Sequence, residues 1–194
     1  MLDVCLAFDG SDSDDWTCIR AETRDGFQFT PTYGPSNLPT IWNPTDWEGR
    51  IPRLEVHAAV SELFSRYNVQ RMYCDPPYWD SEIESWSLEY GESRVLEWHT
   101  RRPVQMHEAL RRFVTDLSTG ALTHDDCPIT AQHVANARKL ARPGDRYIVG
   151  KPAQHQKIDA AVTSVLCHEA AADARKDGWG IEPAVDTTVF VFRR

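Results

Sequence analysis

A mostly apolar run at residues 2–8, LDVCLAF, stops at Asp9-Gly10-Ser11, and this strand-then-turn start constrains the chain more than any other feature. Its β-branched and apolar content suits a buried strand. Residues 16–22 (WTCIRAE) alternate as a second strand and residues 27–32 (FQFTPT) as a third, with Asp25-Gly26 turning between them. Three antiparallel strands are therefore expected to open the fold. Beyond a loop rich in Pro, Trp and Asn (34–52) the period changes. Within residues 53–67, Leu54, Val56, Val60, Leu63, Phe64 and Tyr67 recur at helical spacing. Strands at 69–74 and 94–98 then alternate with helices at 79–90 and 103–117, the latter opened by Pro103. Pro128 starts a short helix to about Ala137, Arg142-Pro143-Gly144-Asp145 turns a hairpin, and a long helix covers 157–176. A closing strand is expected at 187–192. The order predicts a mixed-sheet α/β fold, with residues 1–194 as one domain and 176–194 as a C-terminal extension.

A chain of 194 residues can bury a core without covalent staples. Its five cysteines, an odd number with no CxxC pair, read as reduced thiols of a cytoplasmic protein. His124, Cys127 and His133 stand close in sequence but lack the second Cys pair or the His-x₃₋₅-His step of a zinc site. The two histidines are expected to pack or to cap. No apolar run reaches the length of a membrane span, so no membrane partner is expected. The start MLDVCLAFDG carries no basic leader. A net charge of −8 argues against a whole-surface nucleic-acid binder, but Arg and Lys gather between residues 138 and 157.

Asp75-Pro76-Pro77-Tyr78 matches the run with which amino-methyltransferases hold a target base. Such an enzyme also needs a glycine-rich turn after a strand to hold its cofactor. The chain has ten glycines, and its GxG, Gly178-Trp179-Gly180, follows a helix rather than a strand. Neither S-adenosylmethionine binding nor, without a GxxxxGK[ST] loop, ATP hydrolysis is expected of it. A metal-binding role for Asp75 needs acidic partners, because hard cations take several oxygen ligands. Asp9 ends the first strand, and Gly10 after it would permit close approach of a phosphate. Asp75 ends a later strand that a βαβ crossover lays beside the first. Asp159 falls in the first turn of the last helix. Singly these residues suit a turn, a cap before Pro76 and a helix-start acid. Together they fit one site.

The motifs LAFDGSDSDDWT, MYCDPPYW, LTHDDCPITAQHVANA and GKPAQHQKIDAAVTSVLCHEAAADA resemble the nuclease domain of tailed-phage large terminases, a ribonuclease H-like fold. The resemblance covers roughly residues 2 to 175, and KIDAAV with His124, Pro128, His133, Asn136 and Ala137 is its most distinctive part. It implies a metal-dependent endonuclease that cuts double-stranded phage DNA during genome packaging in the host cytoplasm. Asp9, Asp75 and Asp159 would be both its catalytic residues and the ligands of two Mg²⁺ or Mn²⁺ ions. An ATPase motor domain, a portal and a small terminase subunit would be its partners. A glycine-rich stretch often follows the first Asp in that family; here it is the acidic Ser11-Asp12-Ser13-Asp14-Asp15. Asp12, Asp15, Lys151 and Lys157 are candidate auxiliaries at the site. Arg138, Lys139, Arg142 and Arg146 are candidates to hold the duplex backbone. The same fold would also suit a non-catalytic DNA- or portal-binding module, or a junction resolvase.

Overall fold

A computed structural model describes residues 1–180 of the chain. The strand expected at 187–192 lies outside the described residues. The antiparallel start is present: β1 (Leu2–Asp9) pairs with β2 (Thr17–Thr23), and β2 with β3 (Phe27–Phe29). Gly26, at φ +87°, supplies the left-handed residue that the β2–β3 turn requires. The third strand is shorter than its pattern suggests. Pro31 has no N–H to donate, and the Thr30 N–H is drawn off to Asp125 Oδ2 at 2.6 Å.

The next unit runs through α1 (Arg53–Arg66) into β7 (Tyr67–Asp75), which lies parallel to β1. After α2 (Asp80–Tyr90), β8 (Val95–Glu97) adds parallel to β7. After α3 (Pro103–Thr119), β9 (Thr123–His124) adds parallel to β3 at the far edge. The sheet order is therefore β8-β7-β1-β2-β3-β9. This is a ribonuclease H-like mixed sheet. α4 (Pro128–Asn136), the hairpin of β10 (Arg138–Arg142) and β11 (Arg146–Gly150), and α5 (Asp159–Lys176) complete the described fold.

The segment expected to be a loop, 34–52, is partly ordered into strands too short for any period to register. β4 (Thr32–Tyr33) pairs with β5 (Leu38–Pro39), β6 (Ile41–Trp42) joins β2, and a 3₁₀ turn covers Pro44–Asp46. Burial explains it. Thr40 Oγ1 donates to Ile19 O at 2.9 Å, and Trp42 Nε1 donates to Tyr33 Oη at 3.0 Å inside the core.

The middle of central strand β1, Val4 to Phe8, is covered on both faces, which is why its sequence there is apolar without alternation. Val4, Leu6 and Phe8 pack with Val56, Val60 and Leu63 of α1 and with Trp79, Ile83 and Trp86. Cys5 and Ala7, together with Tyr73, pack with Leu166, Cys167, Ala170 and Ala171 of α5 and with Met106 and Leu110 of α3. The small residues of α5 let the helix settle close to the sheet; Cys167 Sγ lies 3.4 Å from Arg20 O. All five cysteines are free, and four are buried. No described helix is long and apolar enough to cross a membrane.

Candidate active site

Asp9 and Asp75 are register partners at the C-terminal ends of the parallel strands β1 and β7. Side chains alternate along a strand, so Asp9 shares a face with Cys5 and Ala7, and Asp75 with Tyr73. That face is the one covered by α5. Asp159 is the first residue of α5. The C-terminal ends of β1 and β7 and the first turn of α5 thus lie at the same end of the sheet, with Asp75 and Asp159 close enough to act on Asp9 by charge.

Their surroundings differ. Asp75, 7% exposed, accepts from Thr100 Oγ1 at 2.7 Å and from the Thr100 N–H at 3.2 Å. Burial, followed by the charges of Asp75, Asp159 and Asp15, pushes the Asp9 pKa well above the usual carboxylate range. The nearby Arg101 guanidinium opposes that shift. Burial, then the charge of Asp15, pushes Asp159 up to about 6. Asp159 Oδ2 is buried and has no hydrogen-bond partner. Among the described residues no group of three His, Cys, Asp or Glu side chains is already disposed around one metal position. Carboxylate oxygens, here with one lacking a partner, are the donor type that a hard divalent cation takes.

The turn after Asp9 is built differently from its sequence reading. A Cβ on Gly10 would meet Trp79 Nε1 at 2.4 Å and Phe8 Cζ at 2.5 Å, so a buried indole, rather than phosphate, occupies the space beside this glycine. Trp79 Nε1 donates to Ser11 O at 2.9 Å. The acidic stretch that follows is divided. Asp12 faces Arg53 at 3.5 Å, whereas Asp15 accepts from both Lys151 and Lys157. Lys157 Nζ also donates to Asp14 O at 2.8 Å. Burial works against the Asp15 charge, but the two lysine hydrogen bonds outweigh it and hold its carboxyl below the ordinary range.

Solved structures of phage terminases match this architecture at low sequence identity. The large terminase of bacteriophage HK97 superposes with a TM-score of 0.68 at 14% identity, over 89% of this chain and 40% of that one. The large terminase nuclease of thermophilic phage G20c gives 0.65 at 10% identity, over 87% and 82%. Its form described with bound magnesium gives 0.58. The fold is that of the large-terminase nucleases. In sequence, the Gene 13 protein of Mycobacterium phage D29 is 32% identical over 182 residues, 88% of this chain. The chain spans about 29% of the length of the curated relatives it matches. No protein-family model matches it.

On this terminase-nuclease fold, the structure brings Asp15, Lys151 and Lys157 to the carboxylate edge and ties Asp12 to Arg53. Arg138, Lys139, Arg142 and Arg146 all lie on the β10–β11 hairpin, where Arg142 and Arg146 are register partners beside the turn. Lys139 Nζ sits 4.5 Å from the centre of the Tyr147 ring. His133 caps: its Nδ1 accepts the Ala160 N–H at 3.0 Å, holding the first turn of α5 beside Asp159. Burial, then Lys157, lowers the His133 pKa to about 4, so the ring is a neutral acceptor. His124 is exposed and accepts from the Asp126 N–H at 3.2 Å. Thr100 and Arg101 escaped the sequence reading. Both lie in a polar loop with no periodic signal, and only the placement of β8 beside β7 carries them to Asp75 and Asp9.

Proposed function

We propose that this chain is the nuclease part of a phage large terminase, a metal-dependent endonuclease that cuts double-stranded DNA during genome packaging. The observation that carries this reading is the adjacency of Asp9 and Asp75 on parallel strands, with Asp159 and its unpartnered oxygen brought to them by α5. Asp9, Asp75 and Asp159 would hold two Mg²⁺ or Mn²⁺ ions, and a cation among them exchanges mutual repulsion for attraction. When bound, such ions polarise the scissile phosphodiester and make water a competent nucleophile near neutral pH.

The chain's own groups orient the ligands. Thr100 fixes the Asp75 carboxylate by two hydrogen bonds, and His133 fixes the turn that bears Asp159. Lys151 and Lys157, held by Asp15, put positive charge beside the carboxylates without contacting Asp9 or Asp75. The β10–β11 hairpin offers Arg138, Lys139, Arg142 and Arg146 to the duplex backbone, a contact that positions DNA without reading sequence. The ATPase motor that drives DNA, the portal and the small terminase subunit are the partners this role implies, in the host cytoplasm.

A plasmid-nicking assay tests the reading. Wild type should nick and linearise DNA with magnesium or manganese, and neither wild type in EDTA nor Asp75→Asn with manganese should do so. Wild type that leaves the plasmid intact with every metal would make the chain a DNA- or portal-binding module. Preferential cutting of a branched duplex would make it a junction resolvase.

A further inference from the structure

The DPPYW segment leaves β7 through a tight turn. The Trp79 N–H donates to Pro76 O at 2.9 Å and closes a four-residue turn directly after Asp75. Pro77 occupies its second position and Tyr78, at φ +69°, its third. Proline fixes a negative φ, so a positive φ at the next residue makes this a type II turn, whose third position favours glycine. Among the described residues the other non-glycine residues with positive φ are Asn37, Glu48, Asp126 and Asp145, all small or polar. A tyrosine there is disfavoured by its Cβ, and burial does not compensate, because Tyr78 is 65% exposed.

The surroundings pin the turn at its backbone. Arg53 Nη2 donates to Tyr78 O at 2.7 Å, its guanidinium lies 4.4 Å from the centre of the Trp79 ring, and it pairs with Glu82 at 2.6 Å. Trp79 in turn donates to Ser11 O on the turn that follows Asp9. The exits of β1 and β7 are stitched together, and Tyr78 lies exposed at that junction.

We propose that Tyr78 contacts the DNA substrate, its phenol hydroxyl donating to a phosphodiester oxygen beside the scissile bond. The proposal rests on the nuclease reading above. Phosphate is the favoured target because the bases of an intact duplex are stacked away from a ring at the protein surface, whereas phosphate oxygens are presented outward. A neutral donor suits the position. A lysine or arginine so close to Asp75 would compete with a cation for the carboxylate.

Tyr78→Phe and Tyr78→Gly separate the roles. The readouts are thermal melting in EDTA, anisotropy of a labelled duplex in EDTA, and steady-state cleavage with manganese. Tyr78→Gly should melt no lower than wild type, since glycine accepts the turn's φ, and Tyr78→Phe should melt with wild type. Both should bind the duplex roughly three- to ten-fold more weakly, the range of one lost hydrogen bond. KM should rise in proportion, with kcat at saturating DNA retained. Wild-type affinity in Tyr78→Phe, or a melt of Tyr78→Gly well below wild type, would overturn the proposal. If no protein cleaves but both variants still lose affinity, the contact stands and the nuclease reading is what fails.

Discussion

Asp159 is 9% exposed, has an oxygen without a partner, and lies within reach of other negative charges. Such an arrangement lowers the stability of the metal-free fold. Asp159→Asn keeps the shape and removes the charge, so in EDTA it should melt at or above wild type, by about 0.5–2 kcal/mol on the scale of single substitutions. It should also abolish cleavage. Manganese should raise the wild-type melting temperature, because the ion binds the folded site, and raise that of the variant less. The pH dependence has a definite sign. An acid whose folded pKa is about 6, against an ordinary 3.8, destabilises the fold when ionised, so this residue's contribution improves as pH falls from about 6 towards 4. The stability advantage of Asp159→Asn should shrink over that interval in EDTA melts. A variant that melts far below wild type at pH 7 would make Asp159 a structural helix-start acid.

At the scale of elements, the β10–β11 hairpin is mounted on α3: His107 Nδ1 accepts the Tyr147 N–H at 3.1 Å, and the two rings meet edge-on at 4.7 Å. This leaves Arg142 and Arg146 side by side near the free tip. If they bind phosphates, their loss acts through released counterions and hence through salt dependence. Arg142→Ala with Arg146→Ala should weaken duplex binding and reduce the slope of log K against log salt by about 1.8, at about 0.9 per phosphate contact. Anisotropy titrations across a salt series measure it. An unchanged slope would move the DNA to another face.

Across the whole molecule, a buried polar network joins the sheet to two helices. His168, 2% exposed on α5, reaches Glu22 of β2 through Nδ1 at 3.0 Å and Asp116 of α3 through Nε2 at 2.9 Å. Glu22 also accepts from Gln28 at 2.9 Å and from Arg175 at 3.1 Å. Burial alone would lower the His168 pKa, but Glu22 and then Asp116 outweigh it, and the net shift is upward from 6.5. A raised folded pKa stabilises fully below the unfolded value, and that contribution disappears as pH rises through the folded value. His168→Gln should therefore cost most stability near pH 6 and progressively less above pH 6.5. Paired thermal melts of wild type and variant from pH 6 to 9 would show this. A constant difference would mean that packing, not charge, sets the role of His168.

The elements themselves are written locally. A mostly apolar run marks β1, two prolines stop β7 at Asp75, Asp25-Gly26 turns a hairpin, and helical spacing for α1 and Pro103 for α3 mark these helices close to their observed spans. Such signals are backbone preferences and side-chain periods, each expressed within a few residues. That Asp9, Asp75 and Asp159 fall at the ends of such elements was legible. The rest of the edge was not. Thr100 meets Asp75 across 25 residues, His133 meets Ala160 across 27, and Lys151 meets Asp15 across 136. The short strands of residues 32–42 likewise exist because β2 and the core accept them, and the indole beside Gly10 arrives from another strand's turn. Those partners are chosen by sheet order and by how closely α5 packs on β1, which no local pattern encodes. The sequence by itself determined where the longer elements end; the tertiary structure decided which ends meet.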